Sequence, residues 1–155
     1  MQTIEAVLAE HPFFRDLEPQ WVELVAGCGR IVHFRPGEDV FREGEPADRF
    51  YVLRHGSVAV QIYGPATGGV TIETAHDGDV LGWSWLFPPY RWTFDARAVI
   101  DTSAIALDGT CLRGKCDADP AFGYAMMKRF AEIMQRRLLA TRLRLLDVYS
   151  HGVPR

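Results

Sequence analysis

The sequence lacks the features that mark several large classes of protein. Its 155 residues contain no apolar run near the roughly 20 residues that a membrane-spanning helix needs. The first residues include Glu5, Glu10 and His11 where a signal peptide needs an apolar segment. Basic residues are not in excess, because 17 Lys and Arg stand against 20 Asp and Glu, for a net charge of -3. We therefore expect a cytoplasmic protein that binds neither membranes nor DNA.

Cysteine and catalytic motifs are also scarce. The three cysteines, Cys28, Cys111 and Cys116, are an odd number, which argues against a disulfide framework and for a reducing compartment. Cys111 and Cys116 are too far apart for a Cys-x-x-Cys motif, and no His-x-His is present. Gly-x-Ser-x-Gly, a Walker loop and His-Glu-x-x-His are absent as well. The sequence therefore predicts no catalytic residues and no metal site.

What the chain does contain is the composition of one globular domain, with 48% hydrophobic and 24% charged residues. Helical spacing of apolar residues predicts two N-terminal helices, over 3–9 and 18–27. From Gly29 onward, short runs rich in Val, Ile, Tyr and Phe alternate with Gly, Pro and Asp, which predicts strands. The predicted strands are 30–34, 39–42, 49–54, 57–63, 70–75, 80–82, 93–100 and 103–107. Such a set needs a sandwich, barrel or roll, because an open sheet would expose an apolar face and two edges.

The C-terminal part of the sequence is predicted to be helical. A short helix reaches about Cys116, and the sequence Asp-Ala-Asp-Pro at 117–120 begins a long helix that runs to about Tyr149. At about 100° per residue, one apolar stripe of this helix is predicted to pack on its own domain. It consists of Met126, Phe130, Ile133, Met134, Thr141, Leu145 and Val148. The helix also carries Arg129, Arg136, Arg137, Arg142 and Arg144, which point in several directions and are interpreted as a solvated face.

Three leucines form a second stripe on the C-terminal half of the long helix. Leu139, Leu143 and Leu146 share one side at i, i+4 and i+7, whereas the same side is polar one turn earlier. A second copy of the chain is the favoured partner, because a domain this small can hardly wrap a helix on two faces. The alternative is that the strands or the N-terminal helices cover these leucines.

The stretch from Phe34 to Val58 reads FRPGEDVFREGEPADRFYVLRHGSV, with glycines at 37, 44 and 56. It closely resembles the first half of the cyclic nucleotide-binding domain family, the module of catabolite-activator-type regulators, kinase regulatory subunits and gated channels. Gly-Asp-Val-Leu-Gly at 78–82 resembles the approach to the ligand loop of that family, and the long helix corresponds to its lid or dimer helix. The resemblance covers about residues 11 to 149.

The resemblance implies a mainly β fold with flanking helices. We expect an eight-stranded β-roll of the double-stranded jelly-roll type, with N-terminal helices and a long C-terminal helix. A single domain, 1–155, would comprise N-terminal helices 1–28, the roll 29–108, C-terminal helices 109–149 and a tail 150–155. In the regulators a helix-turn-helix domain follows the long helix; the sequence ends six residues after it, which adds to the expectation of no DNA binding.

The ligand loop departs from the family pattern. In the family a short helix N-terminus, an Arg and a Glu hold the cyclic nucleotide, the Arg at the phosphate and the Glu at the ribose. Here Trp83 stands where the family has Glu, and a gap-free alignment puts Trp92 at the position of the Arg. Arg91 would reach the phosphate only through a one-residue slip, and Arg97 is a second candidate unless it pairs with Asp95. The predicted ligand-binding residues are Gly82, Trp83, Ser84, Trp85, Arg91, Trp92 and Arg97.

The loop segment has gained aromatic residues, and two interpretations stay open. Either the pocket is rebuilt for a flat or apolar effector, or tryptophans fill the space of a nucleotide. We expect a non-catalytic sensor or regulatory module with no cofactor. Its effector would be a weakly bound cyclic nucleotide or another small aromatic molecule, and its partners would be a second copy of itself and a protein in trans. The alternative is a structural interaction domain with a closed, aromatic-filled pocket.

Overall fold

The structure is a computed structural model, and it describes residues 2–64 and 68–152. The helices are α1 (Ile4–Glu10), α2 (Pro19–Ala26), α3 (Gly109–Ala118) and α4 (Pro120–Gly152), with 3₁₀ turns at Pro12–Phe14 and Ser84–Leu86. The strands are β1 (Gly29–Phe34), β2 (Asp39–Phe41), β3 (Arg49–His55), β4 (Ser57–Gly64), β5 (Gly68–His76), β6 (Val80–Leu81), β7 (Asp95–Ala98) and β8 (Thr102–Asp108). They form two antiparallel four-stranded sheets, ordered β1-β8-β3-β6 and β2-β7-β4-β5.

The eight-stranded jelly-roll with flanking helices confirms the predicted fold class. Each predicted strand is present, with ends that differ by at most two residues, and β7 is two residues shorter than predicted at both ends. The prediction for that strand began at Thr93 and ended at Ile100, but β7 spans only Asp95–Ala98. Thr93 and Phe94 before it belong to the loop that carries Trp92, and Phe94 packs partly buried against the core between the sheets.

Both faces of β3 and β8, the inner strands of the first sheet, are buried, and this creates two cores. Phe50 and Val52 of β3 point to the core shared with the helices, whereas Tyr51 and Leu53 point to the core between the sheets. Successive side chains of a strand point to opposite faces, so one strand contributes to both cores. The first sheet is thereby fixed between the helices on one side and the second sheet on the other.

The expectation of no disulfide is wrong, because Cys28 and Cys111 are bonded. The two residues are 83 positions apart in sequence. Antiparallel pairing of β1 with β8 places Gly29 opposite Leu107, so Cys28 lies beside the first turn of α3. The free thiol is Cys116, which is half-buried, and burial raises its pKa. The disulfide removes the cysteine-based reason for expecting a reducing compartment.

The long helix α4 buries apolar side chains against its own domain only along its first half. Met126, Phe130 and Ile133 are buried in the core shared with the helices, as the first apolar stripe predicts. Leu145 and Val148 of the same predicted stripe are exposed, and so is Thr141, so the stripe is wrong for the second half. The helix also continues to Gly152 rather than ending near Tyr149, and residues 153–155 of the predicted tail lie outside the described residues.

Candidate functional site

The ligand-loop segment begins where β6 ends and where the backbone turns sharply at Gly82. Gly82 has a φ of +95°, a conformation that side chains other than glycine rarely adopt. The ring of Trp92 lies 2.6 Å from where a Cβ would stand on Gly82, so a larger residue would collide with it. The 3₁₀ turn Ser84–Leu86 follows, and the chain then returns through the loop to β7. This close contact therefore restricts position 82 to glycine, and it allows the Trp92 ring to pack directly on the backbone.

A small cavity lies between the second sheet, this loop and α4. Its volume is about 40 Å³. It is lined by Phe41, Val60, Glu73, Gly82, Trp83, Ser84, Trp92, Thr93, Phe94 and Arg137. Pockets that bury small-molecule ligands usually measure about 300–1,000 Å³, and a water molecule takes about 30 Å³. In this conformation the cavity has room for a water molecule but not for a nucleotide.

Trp92 lies inside the space that the loop encloses, against Gly82. Its ring stacks on Phe41 with centroids 3.8 Å apart and planes within 8°. It is buried with the core between the sheets. Four of the predicted ligand-binding residues, Gly82, Trp83, Ser84 and Trp92, do line this cavity together.

The other three predicted residues lie elsewhere. Trp85 is fully buried in the helix core, where its ring stacks on Phe50 at 4.9 Å. Trp85 therefore anchors the loop to the helices and does not line the cavity. Its carbonyl oxygen accepts a hydrogen bond from Arg113, whose guanidinium also lies 4.4 Å from the centre of the Tyr90 ring.

Both candidate arginines of the loop segment are held outside the cavity. Arg91 is exposed and its Nη1 donates to the carbonyl oxygen of Gly44 at 2.8 Å. Arg97 is also exposed, and its Nε donates to Oδ1 of Asp39 on β2 at 3.2 Å. The alternative that Arg97 pairs with Asp95 is wrong, because Asp95 accepts from the backbone N–H of Glu43 instead. The register of β2 with β7, which sets Asp39 opposite Arg97, decides this pairing.

The cationic group that does line the cavity comes from α4. Nε of Arg137 lies 3.0 Å from Oε1 of Glu73 on β5, and its guanidinium lies 4.8 Å above the centre of the Trp83 ring. It also donates to the carbonyl oxygen of Val80. Burial lowers the pKa of Arg137 from its usual value, while the charge of Glu73 acts in the opposite direction. Arg137 therefore joins the helix, the second sheet and the ligand loop.

Three arginines along α4 donate to backbone carbonyls of the rest of the domain. Arg129 donates to Phe13, Arg137 to Val80 and Arg144 to Ile72. They are spaced by eight and seven residues, about two turns each, so they share one face of the helix. The interpretation of the α4 arginines as a solvated face is wrong for Arg129 and Arg137, which are partly buried, whereas Arg144 is exposed although it donates to the domain. The same two-turn spacing also fits Arg136, so the sequence alone does not single out these three arginines.

Other features of the surface are less closely tied to the ligand loop. A wide, open cleft of about 670 Å³ runs beside the Cys28–Cys111 disulfide and contains none of the predicted ligand-binding residues. Among the described residues, no group of three or more His, Cys, Asp or Glu side chains is placed to hold a metal ion. Within residues 2–64 and 68–152, no helix is both long and apolar enough to cross a membrane.

Comparisons with known proteins agree with this architecture. The model of the cyclic nucleotide-binding domain family matches residues 31–119. The CRP-like cAMP-activated global transcriptional regulator of Mycobacterium tuberculosis is 26% identical over 151 residues, which are 97% of this chain and 66% of that protein. This chain thus spans slightly less than two thirds of the regulator's length.

Solved structures show the same fold. A protein from Geobacter metallireducens GS-15 that is named for cyclic-nucleotide binding superposes with a TM-score of 0.77 at 26% identity, over 89% of this chain and 99% of its own. The catabolite activator protein of Thermus thermophilus superposes with a TM-score of 0.70 at 24% identity, over 90% of this chain and 63% of its own. The family match extends over more than half of the chain, and the chain belongs to the cyclic nucleotide-binding domain family. It is similar to the cyclic nucleotide-binding domains of CRP-like regulators.

Proposed function

We propose that this chain is a non-catalytic sensor module whose response to cyclic nucleotides is weak or altered. The observation that carries the proposal is the aromatic cavity of about 40 Å³, which is lined by Trp83 and Trp92. The sequence resemblance sets these two residues where the family has its ribose-binding Glu and phosphate-binding Arg. A relative named as cAMP-activated is 26% identical to the chain, which supports a cyclic nucleotide as the first ligand to examine. No cofactor is needed for this role.

The expected weakening can be stated in free energy. Loss of a hydrogen bond between a charged side chain and a phosphate typically costs about 1.5–3 kcal/mol, or roughly one to two decades in affinity. The ribose contact is lost as well, and a ligand has to displace groups that now fill the cavity. We therefore expect cyclic AMP and cyclic GMP to bind with dissociation constants in the micromolar range or weaker.

Isothermal titration calorimetry with cyclic AMP and cyclic GMP tests this proposal. Weak, saturable binding that is accompanied by a change in tryptophan fluorescence supports it, because Trp83 and Trp92 line the cavity. A submicromolar dissociation constant for either nucleotide contradicts it. Arg97→Ala is the matched control, since Arg97 pairs with Asp39 outside the cavity and its loss is expected to leave the affinity unchanged.

A second candidate function is a structural interaction domain with a permanently closed pocket. The stacking of Trp92 on Phe41 favours it, because these rings fill the enclosed space well in the absence of a ligand. The same titration separates the two functions. If neither nucleotide gives heat, a fluorescence change or a shift of the melting temperature at millimolar concentration, the closed-pocket function is supported.

We further propose that the module acts as a homodimer and passes its signal to a protein partner in trans. The support for the dimer is the exposed apolar surface on the second half of α4, which includes Leu139, Leu143 and Leu146. The expectations of a cytoplasmic location and of no DNA binding stay predictions.

A further inference from the structure

The ion pair between Arg137 and Glu73 lies in the wall of the aromatic cavity. Among the described residues that line the cavity, these two carry the formal charges, and the remainder are apolar or neutral. The side chain of Arg137 is only 20% exposed, and that of Glu73 is 32% exposed. A charge at this depth is costly to leave without a partner, so each group needs the other as long as no other ion is present.

The part of α4 that carries Arg137 is held by polar contacts. Arg137 donates to the carbonyl of Val80, and Arg144, two turns later, donates to the carbonyl of Ile72 next to Glu73. From Leu138 onward the described side chains of α4 are exposed, so little apolar surface holds this segment against the sheet. A competing ion can therefore release it at a smaller cost than the separation of an apolar interface.

The guanidinium also lies against the residue that replaces the family's ribose-binding Glu. It covers the face of Trp83 at 4.8 Å from the ring centre. A guanidinium on an aromatic face stays oriented, and its remaining donors can hold a carboxylate or phosphate in two-point geometry. An anion at Arg137 would be adjacent to aromatic rings on which a flat group can stack.

We propose that Glu73 and Arg137 form an internal latch on this cavity, and that Arg137 is the residue that binds the anionic group of a flat, ring-containing ligand. The proposal rests on the proposed function, because it assigns the ligand of that module to this cavity. The ligand's phosphate or carboxylate replaces the carboxylate of Glu73 at Arg137, and Glu73 turns to solvent. The cationic group that the ligand loop lacks is thus supplied by α4, and ligand binding and release of the helix become the same event.

Two substitutions that break the same ion pair distinguish this latch from a structural contact. Glu73→Gln removes the competing carboxylate and keeps the receptor, so cyclic AMP should bind about 10-fold more tightly by calorimetry. Arg137→Met removes the receptor, so the affinity should fall about 10-fold or more. The double variant should resemble Arg137→Met. A contact that only stabilises the fold would give changes of the same sign in both single variants.

Adenosine, which has the ring but no phosphate, tests the role of Arg137 as the anion receptor. In the Glu73→Gln background, Arg137→Met should weaken cyclic AMP binding but leave adenosine binding unchanged. Arg136→Met and Glu132→Gln are matched controls, because both residues are exposed on α4 and neither lines the cavity. Circular dichroism and thermal melting confirm that each variant is folded before it is titrated.

The outcomes separate the latch from the proposed function. If cyclic AMP binds the wild-type chain and neither Glu73→Gln nor Arg137→Met changes its affinity, the latch is wrong and the proposed function stands. If neither cyclic AMP nor adenosine binds any of the variants, both proposals are overturned. In that case, amide hydrogen exchange of α4 is compared between the wild-type chain and Glu73→Gln. Faster exchange in Glu73→Gln would show that the ion pair is a structural contact alone.

Discussion

His11 is a buried titratable side chain whose two ring nitrogens both have defined partners. Its Nδ1 accepts from the backbone N–H of Phe13 at 3.1 Å, so the proton lies on Nε2, which donates to the carbonyl oxygen of Leu53 at 2.9 Å. This arrangement connects the N-terminal turn to β3. It requires the neutral ring, because a protonated Nδ1 cannot accept, and burial lowers the pKa of His11 below its usual value of 6.5.

The depressed pKa of His11 makes the stability of the fold depend on pH. The unfolded chain binds a proton near pH 6.5, whereas the folded chain does so only at lower pH, so the stabilising effect is complete above 6.5. It is lost as the pH falls from 6.5 through the folded pKa, at up to about 1.4 kcal/mol per pH unit. Urea denaturation should therefore give a lower free energy of unfolding at pH 5.5 than at pH 7.5.

Two variants identify His11 as the source of that pH dependence. His11→Gln should unfold more easily at pH 7.5 and show a smaller difference between the two pH values. His33→Gln is the control, because His33 is exposed and its loss should preserve the difference. Asp39 and Asp77 have lowered pKa values and titrate below this interval, so they contribute little to it. An unchanged pH dependence in His11→Gln would contradict the assignment.

At the residue scale, the departures of the ligand loop could be predicted but the new cavity contacts could not. The sequence resemblance predicts that Trp83 and Trp92 stand at the positions of the family's contact residues, and both do line the cavity. Arg137 is 54 residues after Trp83 in the sequence, and its pairing with Glu73 depends on how α4 lies across β5. Such a contact follows from tertiary packing, which the periodicity of a single helix does not encode.

At the scale of elements, the strands were predictable because their turns have recognisable residues. The disulfide was not, because it depends on the register between the first and last strands. Once Gly29 pairs with Leu107, Cys28 and Cys111 are neighbours, although counting cysteines suggests free thiols. The bond connects the end of α2 with the start of α3, and thus joins the N-terminal helices to the base of α4.

The Cys28–Cys111 disulfide should make a large contribution to stability. Closing a loop with a sequence separation of 83 residues restricts the unfolded chain, and removing a native disulfide typically costs about 2–5 kcal/mol. Guanidinium denaturation of Cys111→Ser under oxidising conditions should show a loss of this size. Cys116→Ser is the matched control, because Cys116 is a free cysteine in the same helix, and its loss should be much smaller. Equal midpoints for the wild-type chain with and without reductant would contradict the prediction.

At the scale of the whole molecule, the two halves of α4 have different surroundings. The first half is covered by the domain, whereas the second half exposes leucines that neither the roll nor the N-terminal helices cover. The alternative that the chain's own elements bury Leu139, Leu143 and Leu146 is therefore wrong, since they are 57%, 57% and 62% exposed. The Arg137 contact lies at the junction of the two halves, so opening of the cavity and the position of any partner helix would be coupled.

The dimer proposal predicts that these leucines contact their equivalents across a two-fold axis. Burial of three leucines per chain would contribute several kcal/mol, at about 1.5–3 kcal/mol for each fully buried side chain before association costs are subtracted. Glu substitutions at these leucines should dissociate the dimer but leave the fold intact, because an exposed position tolerates Glu in the monomer. The double variant Leu139→Glu, Leu143→Glu should therefore have a monomer mass by light scattering and an unchanged circular dichroism spectrum.

A matched pair of leucines on another side of the same half-helix provides the control. Leu138 and Leu145 are also exposed, but they are turned by roughly 115° from the stripe at 100° per residue. The double variant Leu138→Glu, Leu145→Glu should keep the dimer mass, since these positions lie away from the proposed axis. If the stripe variant also keeps the dimer mass, the interface lies elsewhere on the molecule. If the stripe variant unfolds or aggregates, the leucines belong to a folded core, and α4 does not provide a dimer surface.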